Sequence, residues 1–314
     1  MTRNSANIIL MSASIIWGFS FIFQKEAFDY IDAFAFNGYR FLFGALIIYL
    51  YIKFIHAPKQ RAQIASGPNT ANHLDDKSGL DEKSLAPTPP FKGAFAAGLF
   101  LFGGSGFQQM GIEHTSLANA GFITGLYIVF IPIIGLFIGH RYRAGVWIAL
   151  LIAIGGLYLL SGMSGLHLAY GDFLILICAI SFAFHVLVVD HMANNSDPVQ
   201  FAMWQFIACA IFSLIAAAII EDRIFIMDLR SLQWILLSGV FAVGLGYTFQ
   251  VQGQTAADPA QASVILSLES VFAAIAGYLY YQEVLPFDGY IGCMLMLAGC
   301  LMVQFFPPLE RQKS

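Results

Sequence analysis

The chain has 314 residues, of which 58% are hydrophobic and only 11% are charged, with a formal net charge of −4. Soluble domains carry about 25% charged residues, so this composition excludes an ordinary water-soluble protein and places most of the chain in lipid. Basic and aromatic residues do not alternate on a polar surface, so the sequence also predicts no nucleic-acid partner.

Ten apolar stretches follow one another along the chain, each close to the roughly 17–25 residues that cross the hydrocarbon core as a helix. They are residues 8–24, 34–55, 93–112, 117–138, 145–162, 173–190, 199–220, 232–252, 260–281 and 287–306. A membrane β-barrel would instead show segments of about 10 residues that alternate between apolar and polar. We therefore predict an all-α polytopic membrane protein with ten transmembrane helices.

A polar connection, residues 57–92, separates the second apolar stretch from the third. It is rich in Pro, Asn, Asp, Ser and Lys. Such a composition cannot bury enough apolar surface to offset the entropy of ordering. We expect a disordered cytoplasmic loop that is a tolerated insertion. The competing interpretation is a regulatory or partner-docking segment.

The two halves of the chain read as one five-helix unit written twice. Trp17 aligns with Phe182, Arg40 with Gln205, and Gly121 with Ser263. An odd number of crossings per copy places the second copy upside down in the bilayer, an arrangement typical of secondary transporters. We predict a first repeat in 1–162, an inverted second repeat in 171–306, and a cytoplasmic tail in 307–314.

The basic residues predict the orientation. With the N-terminus in the cytoplasm, 11 of the 15 Lys and Arg residues fall in cytoplasmic segments. Positively charged loops stay on the cytoplasmic side, so we expect both termini to be cytoplasmic.

Glu269 interrupts the ninth apolar stretch near its middle. A charged group there costs at least about 2.5 kcal/mol on insertion scales, so it normally faces a cavity or a partner. One interpretation is a contact that holds two helices together. The other is a residue that lines the substrate path or binds a coupling proton. The equivalent residue of the first copy is Tyr127, so the charge breaks the repeat symmetry.

Arg40 and His185 each have two interpretations. The long side chain of Arg40 can reach the outer interface, or it can pair with a buried carboxylate such as Glu269. His185 replaces Ser20 of the first copy, and it can be a helix-packing group or a contact for substrate or proton.

The remaining polar candidates are Trp17, Gln108, Tyr247 and Gln250, which lie in the first, third and eighth apolar stretches. Amide and hydroxyl groups in membrane helices can simply join neighbours, at about 0.6–2 kcal/mol each. Their clustering favours a central polar path. Pro132 predicts a kink in the fourth helix.

Motifs for catalysis and nucleotide binding are lacking. The chain has no GxxxxGK[ST] loop, no HExxH and no GxSxG. Its four cysteines lie in apolar stretches without metal-ligand spacing, which is typical of packing residues. We predict no enzyme activity, no metal and no cofactor.

The chain as a whole resembles the drug/metabolite transporter superfamily, in its ten-helix branch with two EamA domains. The residues that carry the resemblance are Trp17-Gly18, Tyr39-Arg40-Phe41, Gly171-Asp172, the segment 267–273 (Ser-Leu-Glu-Ser-Val-Phe-Ala) and Gln282-Glu283. Ser270 departs from the pattern, because Pro is common after the Glu of the ninth helix.

The resemblance implies a permease or exporter of the bacterial inner membrane that carries amino acids and other small metabolites. We therefore expect a secondary transporter whose partners are a small-molecule substrate, the lipid bilayer and a coupling proton. The substrate-binding candidates are Glu269, Arg40, His185, Trp17, Tyr127, Gln108, Tyr247 and Gln250. The rival interpretation is a membrane receptor or scaffold without transport activity.

Overall fold

The computed structural model describes residues 1–56, 91–115, 117–139, 141–161, 169–193, 196–225 and 228–304. These residues form helices and short connections, and no strand occurs among them, which confirms the all-α prediction. The predictions for most of the loop 57–92 and for the tail 307–314 concern residues outside the described part of the chain.

We number the helices α1 to α10 and give one label to a helix with a local break. The first five are α1, Arg3–Ala27; α2, Ala33–Tyr51, continued by a π-helical turn, Ile52–His56; α3, Phe91–Ile112; α4, Leu117–Gly125 and Tyr127–Phe137; and α5, Ala144–Ser161. The others are α6, Tyr170–Ala193; α7, Pro198–Ile220; α8, Leu229–Leu237, the π-helix Ser238–Tyr247 and Thr248–Gln254; α9, Pro259–Leu266 and Glu269–Tyr281; and α10, Phe287–Gln304.

Seven of these helices are long and apolar enough to cross a membrane: α1, α2, α4, α6, α7, α8 and α9. Helices α5 and α10 contain shorter apolar helices, Ala144–Leu159 and Phe287–Gly299. Helices satisfy their own backbone hydrogen bonds, which is why apolar sequences of this length adopt them in lipid. The count of ten crossings and their inverted order remain predictions.

Helix packing follows a regular scheme across the two halves. Helix α1 packs against α8 and α9, and α6 packs against α3 and α4. Helix α2 packs along α7, and α5 packs along α10. Exchange of the first five helices with the last five converts α1–α8 into α6–α3 and α1–α9 into α6–α4, and it converts α2–α7 and α5–α10 into themselves.

The start of α2 is joined to the end of α7. The Glu221 carboxylate accepts hydrogen bonds from the backbone N–H groups of Phe34 and Ala35, at 2.6 and 2.8 Å. These N–H groups have no partner within α2, so Glu221 caps the helix from the other half of the chain. Beside this cap, Arg223 forms an ion pair with Asp32 at 2.7 Å.

The opposite ends of the same two helices also meet. Nε2 of His56, just after α2, lies 2.7 Å from Oδ2 of Asp197, the residue before α7. The other Asp197 oxygen accepts from the backbone N–H groups of Val199 and Gln200 and caps α7. Helices α2 and α7 are therefore antiparallel, with polar contacts at both ends of the pair.

Close packing of α5 on α10 depends on one glycine and not on its neighbour. A Cβ atom on Gly156 would lie 2.7 Å from the Gly292 carbonyl oxygen and 2.7 Å from the Met296 nitrogen, whereas one on Gly155 would meet nothing within 4 Å. We expect Gly156→Ala to lower the free energy of unfolding by about 1–3 kcal/mol, because backbone atoms cannot yield as a side chain can.

Gly155→Ala is the matched control for this prediction. It adds the same methyl group one position away, in open space, and should be neutral or should stabilise the helix by up to about 1 kcal/mol. Thermal unfolding in detergent, followed by circular dichroism, measures both variants. Equal unfolding temperatures for the two variants would contradict this account of the α5–α10 contact.

Candidate functional site

A cavity lies where α1, α2, α3, α4, α6, α8 and α9 meet. Its volume is about 30 Å³ when measured as the space open to the centre of a water-sized sphere, which corresponds to one or two water molecules. Its lining is Trp17, Ser20, Phe21, Gln24, Arg40, Gln108, Tyr127, Phe182, His185, Val186, Ala242, Tyr247, Gln250, Leu266 and Glu269. A larger solute requires the surrounding helices to move apart.

All eight residues predicted from the sequence line this one cavity: Glu269, Arg40, His185, Trp17, Tyr127, Gln108, Tyr247 and Gln250. They come from seven helices and from both halves of the chain. The structure thus brings the candidates together, and their part in binding a solute remains a prediction.

Several lining residues were not among the candidates. Ser20 and Gln24 share a face of α1 with Trp17, at helical spacings of three and four, so their signal was present in the sequence. Phe182 and Leu266 have no such signal, because an apolar residue in a membrane helix can face either lipid or the interior.

Two helices that line the cavity are broken at equivalent positions. Helix α4 is interrupted at Leu126 and α9 at Leu268, and both residues have φ −61° and ψ −11°. Tyr127 and Glu269 are consequently the first residues of the second segments. Irregular backbone inside a membrane protein is tolerated where it lines a cavity. The helix passes through Pro132, where the kink was predicted, without a break.

Glu269 is buried, with 4% of its surface exposed. Within the described part of the chain, its carboxylate has neither a hydrogen-bond donor nor an ion-pair partner. Glu269 is the first residue of the second segment of α9, and the backbone N–H groups of the three residues after it donate to carbonyl groups of Ser267 and Leu268. The carboxylate therefore faces the cavity without a compensating cation.

Arg40 is also buried, at 3% exposure. Its Nε and Nη2 donate to the side-chain oxygen of Asn37, at 3.0 and 2.8 Å, and Nη1 donates to Ser238 at 3.4 Å. The guanidinium carbon also lies 5.3 and 5.4 Å from the ring centroids of Phe36 and Phe41. Neutral groups and aromatic rings thus hold the cation in a fixed position.

This environment matches neither of the two interpretations of Arg40 that the sequence offers. A guanidinium with 3% exposure does not reach the interface. The pairing with Glu269 is also absent, because the ion pairs among the described residues do not include Arg40. Asn37, which orients the guanidinium, donates in turn to Ser105 and Ser213 at 3.0 and 2.9 Å. A cation and an anion thus line one cavity without pairing.

An aromatic group forms one side of the cavity. The Trp17 indole N–H donates to the Ala242 carbonyl at 3.0 Å, and its ring centroid lies 4.7 Å from that of Tyr247. Ala242 lies within the π-helix of α8. Local π-helical turns often occur at functional sites. The His185 ring meets Tyr247 edge to face, at 6.1 Å.

Several polar atoms at the cavity are buried and lack a hydrogen-bond partner among the described residues. They are Oε1 of Gln24, the Tyr127 hydroxyl, Nδ1 of His185 and Oε1 of Gln250. Gln108, by contrast, donates to Thr124 at 3.3 Å. Unsatisfied buried polar atoms are rare in folded proteins, and those beside a cavity can be satisfied by a bound water or solute. The described residues contain no group of three or more His, Cys, Asp and Glu that could hold a metal ion.

Comparison with known proteins gives consistent results. The model of the EamA-like transporter family matches residues 4–162 and 169–305. An uncharacterized transporter of Archaeoglobus fulgidus is 30% identical over 96% of this chain and 86% of its own length. The uncharacterized transporter YoaV of Bacillus subtilis is 21% identical over 94% and 95%. A solved crystal structure shares the fold, with a TM-score of 0.71 at 17% identity, over 97% of this chain and 98% of the other.

Proposed function

The chain belongs to the EamA-like transporter family, and from this membership we propose that it is a secondary transporter of a small organic solute of the amino-acid type. The family and the apolar helices make it a multi-pass membrane transporter rather than an enzyme. The proposal extends this result to the solute, the mechanism and the direction of transport.

The proposal depends on one observation: two charged side chains line the cavity, and neither has a counter-charge among the described residues. Arg40 and Glu269 are both buried and both line the cavity, yet they form no ion pair with each other. A buried charge without a counter-charge is costly, and a ligand of opposite charge removes that cost. A zwitterion supplies a carboxylate for the guanidinium of Arg40 and an ammonium for the carboxylate of Glu269. Amino acids are the simplest solutes with both groups.

Alternating access between two inverted repeats is the proposed mechanism. Support comes from the exchange of helix pairs between the two halves and from the antiparallel α2–α7 pair. The breaks in α4 and α9 fall at equivalent places beside the cavity, where transporters with inverted repeats form their binding sites. The small cavity corresponds to a closed state, which must open toward one side to admit a solute.

We further propose export across the inner membrane of a bacterium, with both termini in the cytoplasm. The positive charge of the predicted cytoplasmic segments supports the orientation. Export rests on the family resemblance. A proton exchanged by Glu269 would couple the flux to the proton gradient.

Reconstitution into liposomes tests the transport function. Vesicles loaded with the twenty standard amino acids, each labelled with ¹³C, should release a subset of them faster than protein-free vesicles, with mass spectrometry as the readout. A variant without residues 57–90 should retain this flux, since the cavity is lined by residues of seven described helices. No flux from the full chain would contradict the proposal, and loss of a bound partner on loop deletion would favour the receptor or scaffold.

A further inference from the structure

His185 and Gln205 form a buried pair beside the cavity. His185 is 1% exposed and Gln205 is fully buried. Nε2 of the imidazole lies 2.9 Å from Oε1 of Gln205. In this orientation of the Gln205 amide, whose Nε2 has no partner among the described residues, the amide oxygen accepts from the ring, so the proton of a neutral imidazole lies on Nε2. The contact therefore fixes the tautomer and leaves Nδ1 with a free lone pair.

The second ring nitrogen has no partner in the described part of the chain. Nδ1 of His185 is buried and unsatisfied, although the same side chain lines the cavity. Leaving a buried acceptor unpaired is unfavourable, because the group loses its hydrogen bonds to water and gains none in return. A solute that donates a hydrogen bond to Nδ1 recovers this cost, whereas a solute without a donor does not.

We propose that Gln205 is a positioning residue that sets His185 as a hydrogen-bond acceptor for the ammonium group of the solute. The proposal rests on the proposed function and specifies how the same cavity selects its solute. Gln205 does not line the cavity, so its effect must pass through His185.

The other unsatisfied atoms at the cavity agree with an ammonium group. Oε1 of Gln24 and Oε1 of Gln250 are acceptors without a donor, and Glu269 adds an anionic acceptor. An ammonium has three N–H donors and no acceptor. A site built from buried acceptors rejects analogues without the donor, because its own groups then stay unpaired. These buried acceptors thus favour solutes with an ammonium group over the corresponding acids that lack it.

The first test determines which ring nitrogen of His185 carries the proton. The purified full-length protein, labelled with ¹⁵N-histidine, gives ring-nitrogen NMR signals, and comparison with His185→Asn assigns those of His185. We expect protonated Nε2 and bare Nδ1 in the wild type and a mixture of tautomers in Gln205→Leu. Protonated Nδ1 in the wild type, or an unchanged tautomer in Gln205→Leu, would overturn the proposal.

Gln254→Leu is the matched control. Gln254 is another buried glutamine that bonds to α6, through Nε2 to the Val186 carbonyl at 3.0 Å, and it does not line the cavity. Its replacement disturbs the same helix next to His185 without touching the imidazole. This variant should keep the wild-type tautomer, and a tautomer change equal to that of Gln205→Leu would overturn the positioning role.

Transport kinetics form the second test, with the amino acids found to exchange as probes. Gln205→Leu should raise KM about tenfold while kcat changes little, because an interaction with the bound solute is lost. Gln254→Leu should leave KM unchanged.

The His185 Nδ1 signal should shift on addition of these amino acids and not on addition of their deaminated acids. An unshifted signal with a transported amino acid would overturn the solute contact. An absence of all wild-type flux would contradict the proposed function, and the tautomer test would still stand by itself.

Discussion

Glu269→Gln is expected to reduce the rate of amino-acid exchange by about 100-fold or more. The variant keeps the shape of the side chain and removes its charge, so the ammonium of the solute enters a buried cavity without a counter-charge. Removing one partner of a buried charge pair costs about 3–5 kcal/mol, which corresponds to a factor of 10² to 10³ or more. Initial rates of exchange in proteoliposomes measure the effect.

The pH of the assay separates two roles of this carboxylate. If Glu269 carries only the coupling proton, Glu269→Gln should still exchange amino acids at equal pH on both sides and should lose only the response to a pH gradient. If Glu269 binds the ammonium, exchange at equal pH and the response to a pH gradient should fall together. Glu283→Gln makes the same chemical change beyond the end of α9, outside the cavity, and should behave as wild type. Wild-type exchange by Glu269→Gln at equal pH between about 5 and 8, together with a wild-type response to a pH gradient, would refute both roles.

Arg40→Met is expected to raise KM by about 100-fold for amino acids and much less for the corresponding amines without a carboxylate. Methionine fills a similar apolar volume but offers no cation, so a solute carboxylate is left without a partner in the cavity. The side-chain oxygen of Asn37 also loses both of its donors. Uptake kinetics with amino acid and amine pairs measure the difference.

Two variants sharpen the test of Arg40. Arg40→Lys keeps the charge but loses the planar fork that contacts Asn37 and Ser238, so it should recover only part of the affinity. Arg230→Met removes a solvent-exposed guanidinium that donates to Tyr30, and it should leave KM unchanged. Equal losses for amino acids and amines in Arg40→Met would show that Arg40 supports the fold and does not bind a carboxylate.

The positions of the cavity residues could be predicted because hydrocarbon makes polar groups expensive. Glu269 and Arg40 stand out in apolar stretches, and a charged group there must face an interior surface or a partner. The same reasoning found Gln108 and Gln250, and all of them line the cavity. Apolar lining residues such as Phe182 gave no signal, because lipid and cavity wall accept the same side chains.

Local backbone geometry could not be predicted. Pro132 carries the strongest sequence signal for a kink, yet the break of α4 lies at Leu126, and its equivalent in α9 lies at Leu268. Neither leucine is a helix breaker. The π-helix Ser238–Tyr247 likewise has no counterpart in α3, although the predicted repeat makes α3 and α8 equivalent. Contacts between helices, rather than intrinsic propensity, determine such features.

The sequence by itself determined that this protein is a helical membrane protein with a few interior polar residues, and it predicts a doubled five-helix unit. The reason is that segments can cross the bilayer only if their backbone hydrogen bonds are formed within the protein. Each charged side chain in the hydrocarbon core also costs free energy. Only the tertiary structure decided how those residues are partnered. Arg40 bonds to Asn37 and not to Glu269, and His185 bonds to Gln205 through Nε2 while its Nδ1 has no partner among the described residues. Pairing depends on distances of a few ångströms between different helices, which helix propensity and hydropathy do not encode.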